Sequence, residues 1–346
     1  MTLSGLALAL ILALGFALSW LLTALARRYA LATQLLDRPN ERSSHSVPTP
    51  HGGGVAIVAS FLLLTLGLGL AGPIERSLLV ATLGAGSLVA ALGFADDRRP
   101  LPARWRFLGH AAAAAWVLAW MGRVPAVPLL STVVDLGIAG PLLCGLYIVW
   151  MVNLFNFMDG IDGIASVEAI TVALGGALLW WLAGSGSGGV LLALLFAACV
   201  GGFLVWNFPP ARIFMGDAGS GFLGLVIALL SLWCGQATPA LFWSWFILVG
   251  CFMVDATTTL VRRVRRGERF HEAHRSHAYQ YAARRLGGHR PVTLMCGAIN
   301  LLWLLPVASA VALGRLDGVL GVAIAYAPLV WLAYHYKAGA RELQVL

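Results

Sequence analysis

The sequence predicts an all-α integral membrane protein with about ten or eleven transmembrane helices, at roughly 20 residues for each crossing plus short loops. Two observations predict this fold class. Of the 346 residues, 60% are hydrophobic and only 11% are charged, whereas about 25% of the residues in a soluble domain are charged. The mean hydropathy is also high, at +0.84. These values exclude a soluble enzyme, a disordered tail and a coiled coil.

Apolar segments long enough to form these helices follow one another along the whole chain. They lie at residues 2–26, 53–72, 77–95, 107–121, 138–153, 164–183, 189–206, 220–236, 239–261, 291–313 and 318–336. The first segment has no positive residue before it and Arg27–Arg28 directly after it, the reverse of the charge order in a cleaved signal peptide. Residues 122–137, with Pro125, Pro128 and Asp135, predict an outer loop or short hairpin. We expect one polytopic membrane domain over residues 1–346.

The distribution of positive charge predicts the orientation of the chain. All but three of the 23 Lys and Arg residues fall in loops assigned to the cytoplasm, and the exceptions are Arg76, Arg123 and Arg315. Positive residues favour the cytoplasmic side, so the N-terminus is expected outside and the C-terminus inside. The candidate catalytic loops are cytoplasmic and lie at about 27–52, 96–106, 153–163, 207–220 and 262–290.

The net charge of +8 favours anionic lipid or an anionic substrate, not nucleic acid, as the partner of so apolar a chain. The five cysteines are scattered through apolar segments and have no CxxC spacing. They are therefore interpreted as packing residues, not as disulfides or a zinc site.

Acidic residues collect at the predicted cytoplasmic ends of the helices. They are Asp96–Asp97, Asp159, Asp162 and Asp217. Acids beside an anionic leaflet suggest a divalent-metal site; the alternative is that each one balances nearby arginines. Adjacent helical residues point about 100° apart, so Asp96 and Asp97 are expected to serve one site only if the helix end unwinds. The alternative for this pair is an exposed position against Arg98 and Arg99.

The segment 153–163 is the most specific in the chain. Asn156, Asp159 and Asp162 are three residues apart, so they face the same way in a helical turn. With Asn153, they offer carboxamide and carboxylate oxygens that suit Mg²⁺ and the hydrogen-bonding edge of a base or sugar. The glycines at 160 and 163 permit tight turns. A simple helix break would explain the glycines but not the Asn and Asp residues.

Two glycine-rich segments each precede an apolar segment. In 214–221, Asp217 lies among glycines at a predicted helix start, where free N–H groups favour an anion together with a metal. In 48–54, His51 and Gly53 are candidates for cradling a phosphate. The alternative for this second segment is a plain loop punctuated by Pro and Gly.

The long basic loop 262–290 contains His274, Arg275 and His277. The two histidines, three residues apart, can bind one phosphate with the guanidinium beside them. Zinc is the alternative, but no third ligand at a suitable spacing accompanies them except the acids named above. The run Arg262–Arg266 is explained by contact with lipid headgroups.

Asp255 lies inside the ninth apolar segment. An acid within a membrane helix is functional by default. The alternative is a hydrogen bond to a neighbouring helix through Thr257 or Thr258.

Five motifs in order resemble the polyprenyl-phosphate N-acetylhexosamine-1-phosphate transferases, over residues 37–285. They are TPxGGG (49–54), DD (96–97), NxxNxMDGIDG (153–163), FMGDxGS (214–220) and HRSH (274–277). The resemblance implies transfer of a sugar 1-phosphate from a UDP-N-acetylamino sugar to undecaprenyl phosphate, with release of UMP. It also implies Mg²⁺, with Mn²⁺ as an alternative, and a multi-pass protein of the bacterial inner membrane; a homodimer is left open.

The form HRSHAYQ resembles the branch that initiates lipopolysaccharide O-antigen or other surface polysaccharides. It differs from the triple-histidine form of the peptidoglycan-precursor transferase, which is the enzymatic alternative. His51 stands where the family pattern has arginine or lysine. The alternative from another class of protein is a transporter. A transporter would have charged residues near the middle of the membrane and paired internal repeats. The acids of this chain lie at the ends of the predicted helices, with Asp255 as a partial exception.

The resemblance also implies roles for the candidate residues. Asp217 corresponds to a metal ligand, with Asn156 as the second, and Asp96 to a base on the lipid phosphate, supported by Asp97. The remaining candidates are implied to bind substrate, and they are Asn153, Asp159, Asp162, His51, Gly53, His274, Arg275 and His277. A 6-deoxy sugar such as N-acetylfucosamine or N-acetylquinovosamine is expected, with N-acetylglucosamine as the alternative, because Phe270, Ala273, Ala278 and Tyr279 offer apolar contacts near the basic loop.

Overall fold

A computed structural model describes residues 4–37, 47–130, 132–184, 187–268 and 275–341. Its regular structure is almost entirely helical. The helices are α1 Gly5–Ala32, α2 Val55–Leu70, α3 Arg76–Arg98, α4 Ala103–Met121, α5 Ala139–Met158, α6 Ile164–Leu182, α7 Ser187–Asn207, α8 Asp217–Ala237, α9 Pro239–Leu248, α10 Gly250–Arg265, α11 Ala278–Arg285, α12 His289–Ile299, α13 Leu305–Ala312 and α14 Gly318–His335. The strands are β1 Leu36–Asp37, β2 Thr49–Pro50, β3 Val127–Leu129 and β4 Thr132–Val134.

The predicted fold class is confirmed, since every predicted apolar segment is helical. The ninth segment forms two helices, α9 and α10, that meet at an angle of 69°. The tenth forms α12 and α13 joined by a π-helical turn, Asn300–Leu304. Within the described residues, eight helices are long and apolar enough to cross a membrane, or nine if the bent pair is one span. The predicted ten or eleven spans also require α2, which is shorter, and α4, which has two arginines in its first turn. That number of spans and the orientation of the chain therefore stay predictions.

The predicted hairpin between the fourth and fifth segments is confirmed. Strands β3 and β4 pair antiparallel, with Val127 opposite Val134. The Nε1–H of Trp243 in α9 donates to the carbonyl of Pro128 at 2.7 Å. This bond fixes the hairpin against the end of the helix bundle.

Helix α8 is the centre of the bundle, and 94% of its spanning segment is buried within the protein. It packs against α3 and α5. Its Gly224 lies so close to Met151 of α5 that a side chain there would overlap the backbone carbonyl. Small residues at such contacts let membrane helices approach closely. By contrast, α1 lies at the periphery, with 11% of its spanning segment buried.

Candidate active site

The site is built around the first turn of α8. The carboxylate of Asp97, at the end of α3, accepts the backbone N–H of Asp217 at 2.8 Å on Oδ1 and that of Ala218 at 3.3 Å on Oδ2. The first N–H groups of a helix have no partner within the helix, and a negative charge there also favours the helix dipole. Asp97 is only 6% exposed. It therefore fixes the position of Asp217 and is not itself presented to a ligand.

Two glycines make this close approach possible. At Gly93 in α3, a Cβ atom would lie 2.5 Å from the carbonyl carbon of Asp217. At Gly216, the backbone has a φ of +80°, and a Cβ would lie 2.8 Å from Oδ2 of Asp97. A side chain at either position would push α3 away from the start of α8.

His51 completes the support of Asp97. Its Nε2 lies 3.0 Å from Oδ1 of Asp97. Burial by itself would lower the pKa of His51, but the hydrogen bond and negative charge of Asp97 outweigh it, so the pKa is raised above its ordinary value. The raised pKa favours the positively charged form of His51, at the position where the family pattern has arginine or lysine.

The segment around His51 is joined to the segment before α8 by a short backbone ladder. The N–H of Gly53 donates to the carbonyl of Phe214 at 2.8 Å, and that of Gly54 donates to Met215 at 2.8 Å. A Cβ at Gly53 would lie 2.7 Å from the ring of Phe203. The amide of Gly53 is thus used inside the protein, so the predicted cradling of phosphate by this amide does not fit the geometry.

Asp96 faces the other way from Asp97. Its Oδ1 accepts the N–H of Leu101 at 2.6 Å, and its Oδ2 accepts from Nη1 of Arg106 at 2.7 Å. The same Arg106 nitrogen lies 4.0 Å from Oδ2 of Asp217, and the carboxyl groups of Asp96 and Asp217 lie within hydrogen-bonding reach of each other.

Helix α3 does not unwind at this pair, because it is helical through Arg98, and the two carboxylates accordingly face different partners. One acid contacts the backbone of α8 and the other faces its first side chain. The alternative of an exposed pair against Arg98 and Arg99 is wrong, since the two carboxylates are 8% and 6% exposed.

A small cleft lies beside this pair, and we call it the acidic cleft. Its polar lining consists of Asp96, Arg106, His110, Asn153, Asn156 and Asp217. The amide of Asn156 is close to the carboxyl group of Asp217 and donates to Oγ of Ser220 at 3.4 Å. The amide of Asn153 donates to the carbonyl of Val149 at 2.7 Å. The structure thus brings Asp96, Asp217 and both asparagines together.

Arg106 and His110 of α4 are cleft residues that the sequence interpretation missed. From the sequence, Arg106 is assigned only to the positive charge of the cytoplasmic loops. The two residues are four apart, so they lie on one face of α4. That spacing, directly after the acid pair, was the signal available in the sequence.

Asp159 ends α5 as its C-cap residue and is half-buried. Removal from water raises the pKa of Asp159 well above its usual range. The charge of His51 opposes this rise, and those of Asp217 and Asp97 add to it. Asp159 therefore belongs to the same group of charges as the acidic cleft.

Asp162 is bound elsewhere. Its Oδ2 accepts the N–H of Ala211 at 2.9 Å, and its Oδ1 lies 3.1 Å from Nδ1 of His289. Its carbonyl accepts the hydroxyl of Thr293 at 2.8 Å. The side chain thus joins the loop before α8 to the start of α12. Its predicted contact with a nucleotide sugar stays a prediction.

The buried Asn207 acts beside Asp162, and the sequence interpretation missed it. Its Oδ1 accepts the N–H of Gly163 at 3.0 Å, and its Nδ2 donates to the carbonyl of Ile213 at 3.0 Å. It connects the turn before α6 to the segment before α8. An isolated Asn at the end of an apolar segment carried no signal of this role.

Asp255 supports the start of α11, as Asp97 supports α8. Its two oxygens accept the N–H groups of Ala278 and Tyr279, each at 2.9 Å. Nδ1 of His277 lies 3.3 Å from Oδ1, and the hydroxyl of Thr259 donates to the same oxygen at 3.1 Å. The structure thus shows the hydrogen bond between Asp255 and a neighbouring helix that was one of the two interpretations of this acid. The threonine that bonds to Asp255 is Thr259, not the expected Thr257 or Thr258.

The structure describes residues 262–268 and 275–290 of the basic loop, so the prediction for His274 lies outside the described residues. Arg275 is half-buried, whereas His277 is 3% exposed and is the N-cap of α11. The hydroxyl of Tyr279 donates to the carbonyl of Phe157 at 3.1 Å. Helix α11 is thereby held against the turn that follows α5, which places the end of the basic loop beside the segment 157–160.

Comparison with known proteins identifies the family. A model described as glycosyl transferase family 4 matches residues 79–235. The chain is 31% identical to decaprenyl-phosphate N-acetylglucosaminephosphotransferase of Mycolicibacterium smegmatis, over 92% of this chain and 84% of that protein. It is 32% identical to a probable undecaprenyl-phosphate N-acetylglucosaminyl 1-phosphate transferase of Bacillus subtilis, over 70% and 68% respectively.

A third relative carries a different name. The phospho-N-acetylmuramoyl-pentapeptide-transferase of Moorella thermoacetica is 37% identical over 53% of this chain and 61% of that protein. The resemblance drawn from the motifs is thereby confirmed. The chain belongs to the polyprenyl-phosphate N-acetylhexosamine-1-phosphate transferases of glycosyl transferase family 4, and is a multi-pass membrane sugar-1-phosphate transferase.

Proposed function

We propose that this protein transfers an N-acetylamino-sugar 1-phosphate from a UDP-sugar to undecaprenyl phosphate and releases UMP. The reaction takes place at the cytoplasmic face of the bacterial inner membrane and initiates a surface polysaccharide such as O-antigen. The observation that carries the proposal is the acidic cleft, in which Asp96, Asp217 and Asn156 converge with Arg106 at the start of the central helix.

The residues of the cleft fit Mg²⁺. Asp96 and Asp217 bring two carboxyl groups within reach of each other, and Arg106 is the nearby cation. Carboxylate and carboxamide oxygens are the protein ligands that Mg²⁺ prefers, so Asp217 and Asn156, with Asp96 beside them, would hold the ion. An Mg²⁺ ion bound there would neutralise negative charge on the pyrophosphate.

Phosphoryl transfer depends mostly on positioning and on electrostatic stabilisation. An oxygen of the lipid phosphate forms a bond to the sugar-side phosphorus, and the bond from that phosphorus to the bridging oxygen breaks as UMP leaves. A phosphate monoester has a second pKa of about 6, so the nucleophile is largely ionised at neutral pH. Asp96 therefore orients Arg106 and the lipid phosphate, with little need to remove a proton.

The sugar proposed is an N-acetylamino sugar, and N-acetylglucosamine is the first to test. The relatives from Mycolicibacterium smegmatis and Bacillus subtilis are both named for N-acetylglucosamine. Of the four residues on which a 6-deoxy sugar is expected, Phe270 and Ala273 lie outside the described residues. Ala278 and Tyr279 are buried where α11 meets Asp255 and Phe157. A peptidoglycan-precursor activity is the second candidate, favoured by the name of the Moorella relative.

The test is an assay of the purified protein with undecaprenyl phosphate, Mg²⁺ and a panel of UDP-sugars, in which UMP release and the lipid-linked product are both measured. We expect both UMP and the lipid-linked product with UDP-N-acetylglucosamine. The values of kcat/KM then show whether a UDP-6-deoxy sugar is a better or a poorer donor than UDP-N-acetylglucosamine. If only the muramoyl-pentapeptide donor reacts, the peptidoglycan-precursor activity is correct. If no donor yields a lipid-linked product, the proposal is wrong.

Asp217→Asn is expected to lower activity by about 100-fold or more while the protein remains folded, because a neutral amide replaces a charged ligand beside the reacting phosphates. The matched control is Asp135→Asn, which removes an acid from the loop that follows β4 and should retain activity. Substantial turnover by Asp217→Asn at saturating Mg²⁺ would remove Asp217 from the metal site.

A further inference from the structure

A second group of ligand atoms lies inside the bundle, apart from the acidic cleft. Glu168 of α6, Cys251 of α10 and Cys296 of α12 place one carboxylate oxygen and two sulfurs within 4.8 Å of one another. The three residues are far apart in the sequence, so their spacing shows no metal pattern. They meet because α12 packs against α6 and because α10 begins at the bend that follows α9.

Two buried oxygens of this cluster have no hydrogen-bond partner within the part of the chain that the structure describes. Oε2 of Glu168 accepts from Sγ of Cys296 at 3.2 Å and from Nδ2 of Asn300 at 2.6 Å. Oε1 of Glu168 and Oδ1 of Asn300 are both buried and make no hydrogen bond to any described residue. Glu168 is 0% exposed and Asn300 is 1% exposed. Leaving a buried polar atom without a partner costs about 1–3 kcal/mol, so two at one place require an explanation.

The backbone around the cluster is irregular on two sides. The π-helical turn begins at Asn300, and such turns are frequent at functional sites. Cys251 lies in the first turn of α10, directly after the 69° bend. Cys251 and Cys296 also line an apolar pocket between α10, α12 and α14. Cys251 is half-buried, so this pocket gives access to the two sulfurs.

We propose that Glu168, Cys251 and Cys296 bind a thiophilic divalent cation of the zinc class, with the side-chain oxygen Oδ1 of Asn300 as a fourth ligand. Zinc takes four ligands from sulfur, nitrogen and carboxylate oxygen, whereas Mg²⁺ selects oxygen alone. The site is therefore chemically distinct from the acidic cleft. Binding displaces the protons of the thiols that become ligands, and the cation ties α6, α10 and α12 together.

The first test uses the whole purified protein, stripped of metal by a chelator and kept reduced by a phosphine. Equilibrium dialysis against Zn²⁺ should show one tightly bound ion, and Cd²⁺ should give a thiolate-to-metal absorption band. Cys251→Ser/Cys296→Ser should lose both signals, and Glu168→Gln should bind at least about tenfold more weakly. The matched control is Cys144→Ser, which changes a buried cysteine outside the cluster and should bind as the unaltered protein does.

A second test needs no variant, so it remains decisive if a substitution prevents folding. An alkylating reagent is applied with and without one equivalent of Zn²⁺, and the labelled cysteines are identified by mass spectrometry. We expect Zn²⁺ to protect Cys251 from labelling and to raise the unfolding temperature. The proposal is overturned if the unaltered protein binds no Zn²⁺ tightly, or if Cys251 is labelled equally with and without the ion.

Discussion

Asp96 and Asp97 show how one helix end supplies two functions. Asp97 contacts backbone N–H groups of α8 and the ring of His51, whereas Asp96 contacts Arg106 and the cleft. A carboxylate at a helix start is favourable because it accepts otherwise unpaired N–H groups and complements the dipole. Asp97 is therefore a positioning residue, and Asp96 is the member of the pair that can meet a substrate.

This division predicts different results for two substitutions. Asp97→Asn should lower the free energy of unfolding by about 1–2 kcal/mol, because the amide group would face the N–H of Ala218 and the charge beside the helix start is lost. Asp96→Asn should change stability less and lower kcat more. Thermal unfolding in detergent and steady-state kinetics distinguish the two, and equal effects on both quantities would contradict the assignment.

His51 predicts a pH dependence of stability. Its pKa is raised above the ordinary value of 6.5. The protonated ring facing Asp97, Asp37 and Asp217 therefore stabilises the folded protein fully below that ordinary value, and the contribution is lost as the pH rises through the pKa of the folded state. Unfolding temperatures measured from pH 6 to 9 should fall more steeply for the unaltered protein than for His51→Gln. Parallel profiles would show that the charge of His51 does not contribute.

At the scale of an element, α11 depends on a single acid from another helix. Helix α11 spans only Ala278–Arg285, and isolated helices this short are marginal in water. Its first N–H groups bond to Asp255, and Tyr279 bonds to Phe157. The position of the end of the basic loop beside the segment 157–160 therefore depends on this attachment.

Asp255→Asn should loosen α11 without unfolding the bundle. We expect faster amide hydrogen exchange over residues 278–285 and a several-fold higher KM for the UDP-sugar, with a smaller change in kcat. The matched control is Asp317→Asn, since Asp317 caps α14 through the N–H groups of Val319 and Leu320. An equal rise in KM for the control would show that the effect is not specific to α11.

The sequence predicts the helices well because burial in a membrane requires long apolar segments, and those are visible as composition. It also singles out Asp96, Asp217 and Asn156, which the structure brings together in the acidic cleft, but it misses Arg106 and His110 of the same cleft. It does not predict hydrogen-bond partners such as Asp97 with Ala218, or Asp255 with Ala278, because they are set by how helices pack. The 69° bend after α9 has no signal in composition either, since both of its arms are apolar.

At the scale of the whole molecule, the charge distribution predicts the orientation in the membrane. The four arginines at 262–266 and those at 98–106 should remain in the cytoplasm, on the same side as the acidic cleft. A fluorescent protein fused after residue 346 should fluoresce, and alkaline phosphatase fused there should be inactive. The opposite pair of results would place the acidic cleft on the outer side and would contradict access to cytoplasmic UDP-sugars.

The backbone ladder between residues 50–54 and 213–216 has a consequence for the biogenesis of the protein. The ribosome delivers His51 and Asp97 to the membrane long before it has made Phe214 and Asp217. During that interval His51 and Asp97 can contact each other, but the N–H groups of α8 that Asp97 accepts do not yet exist, and no cleft is present. The catalytic centre is therefore assembled late in translation, when the eighth helix inserts between helices already in place, and a nascent chain that stops before this point is inactive however well its first helices have inserted.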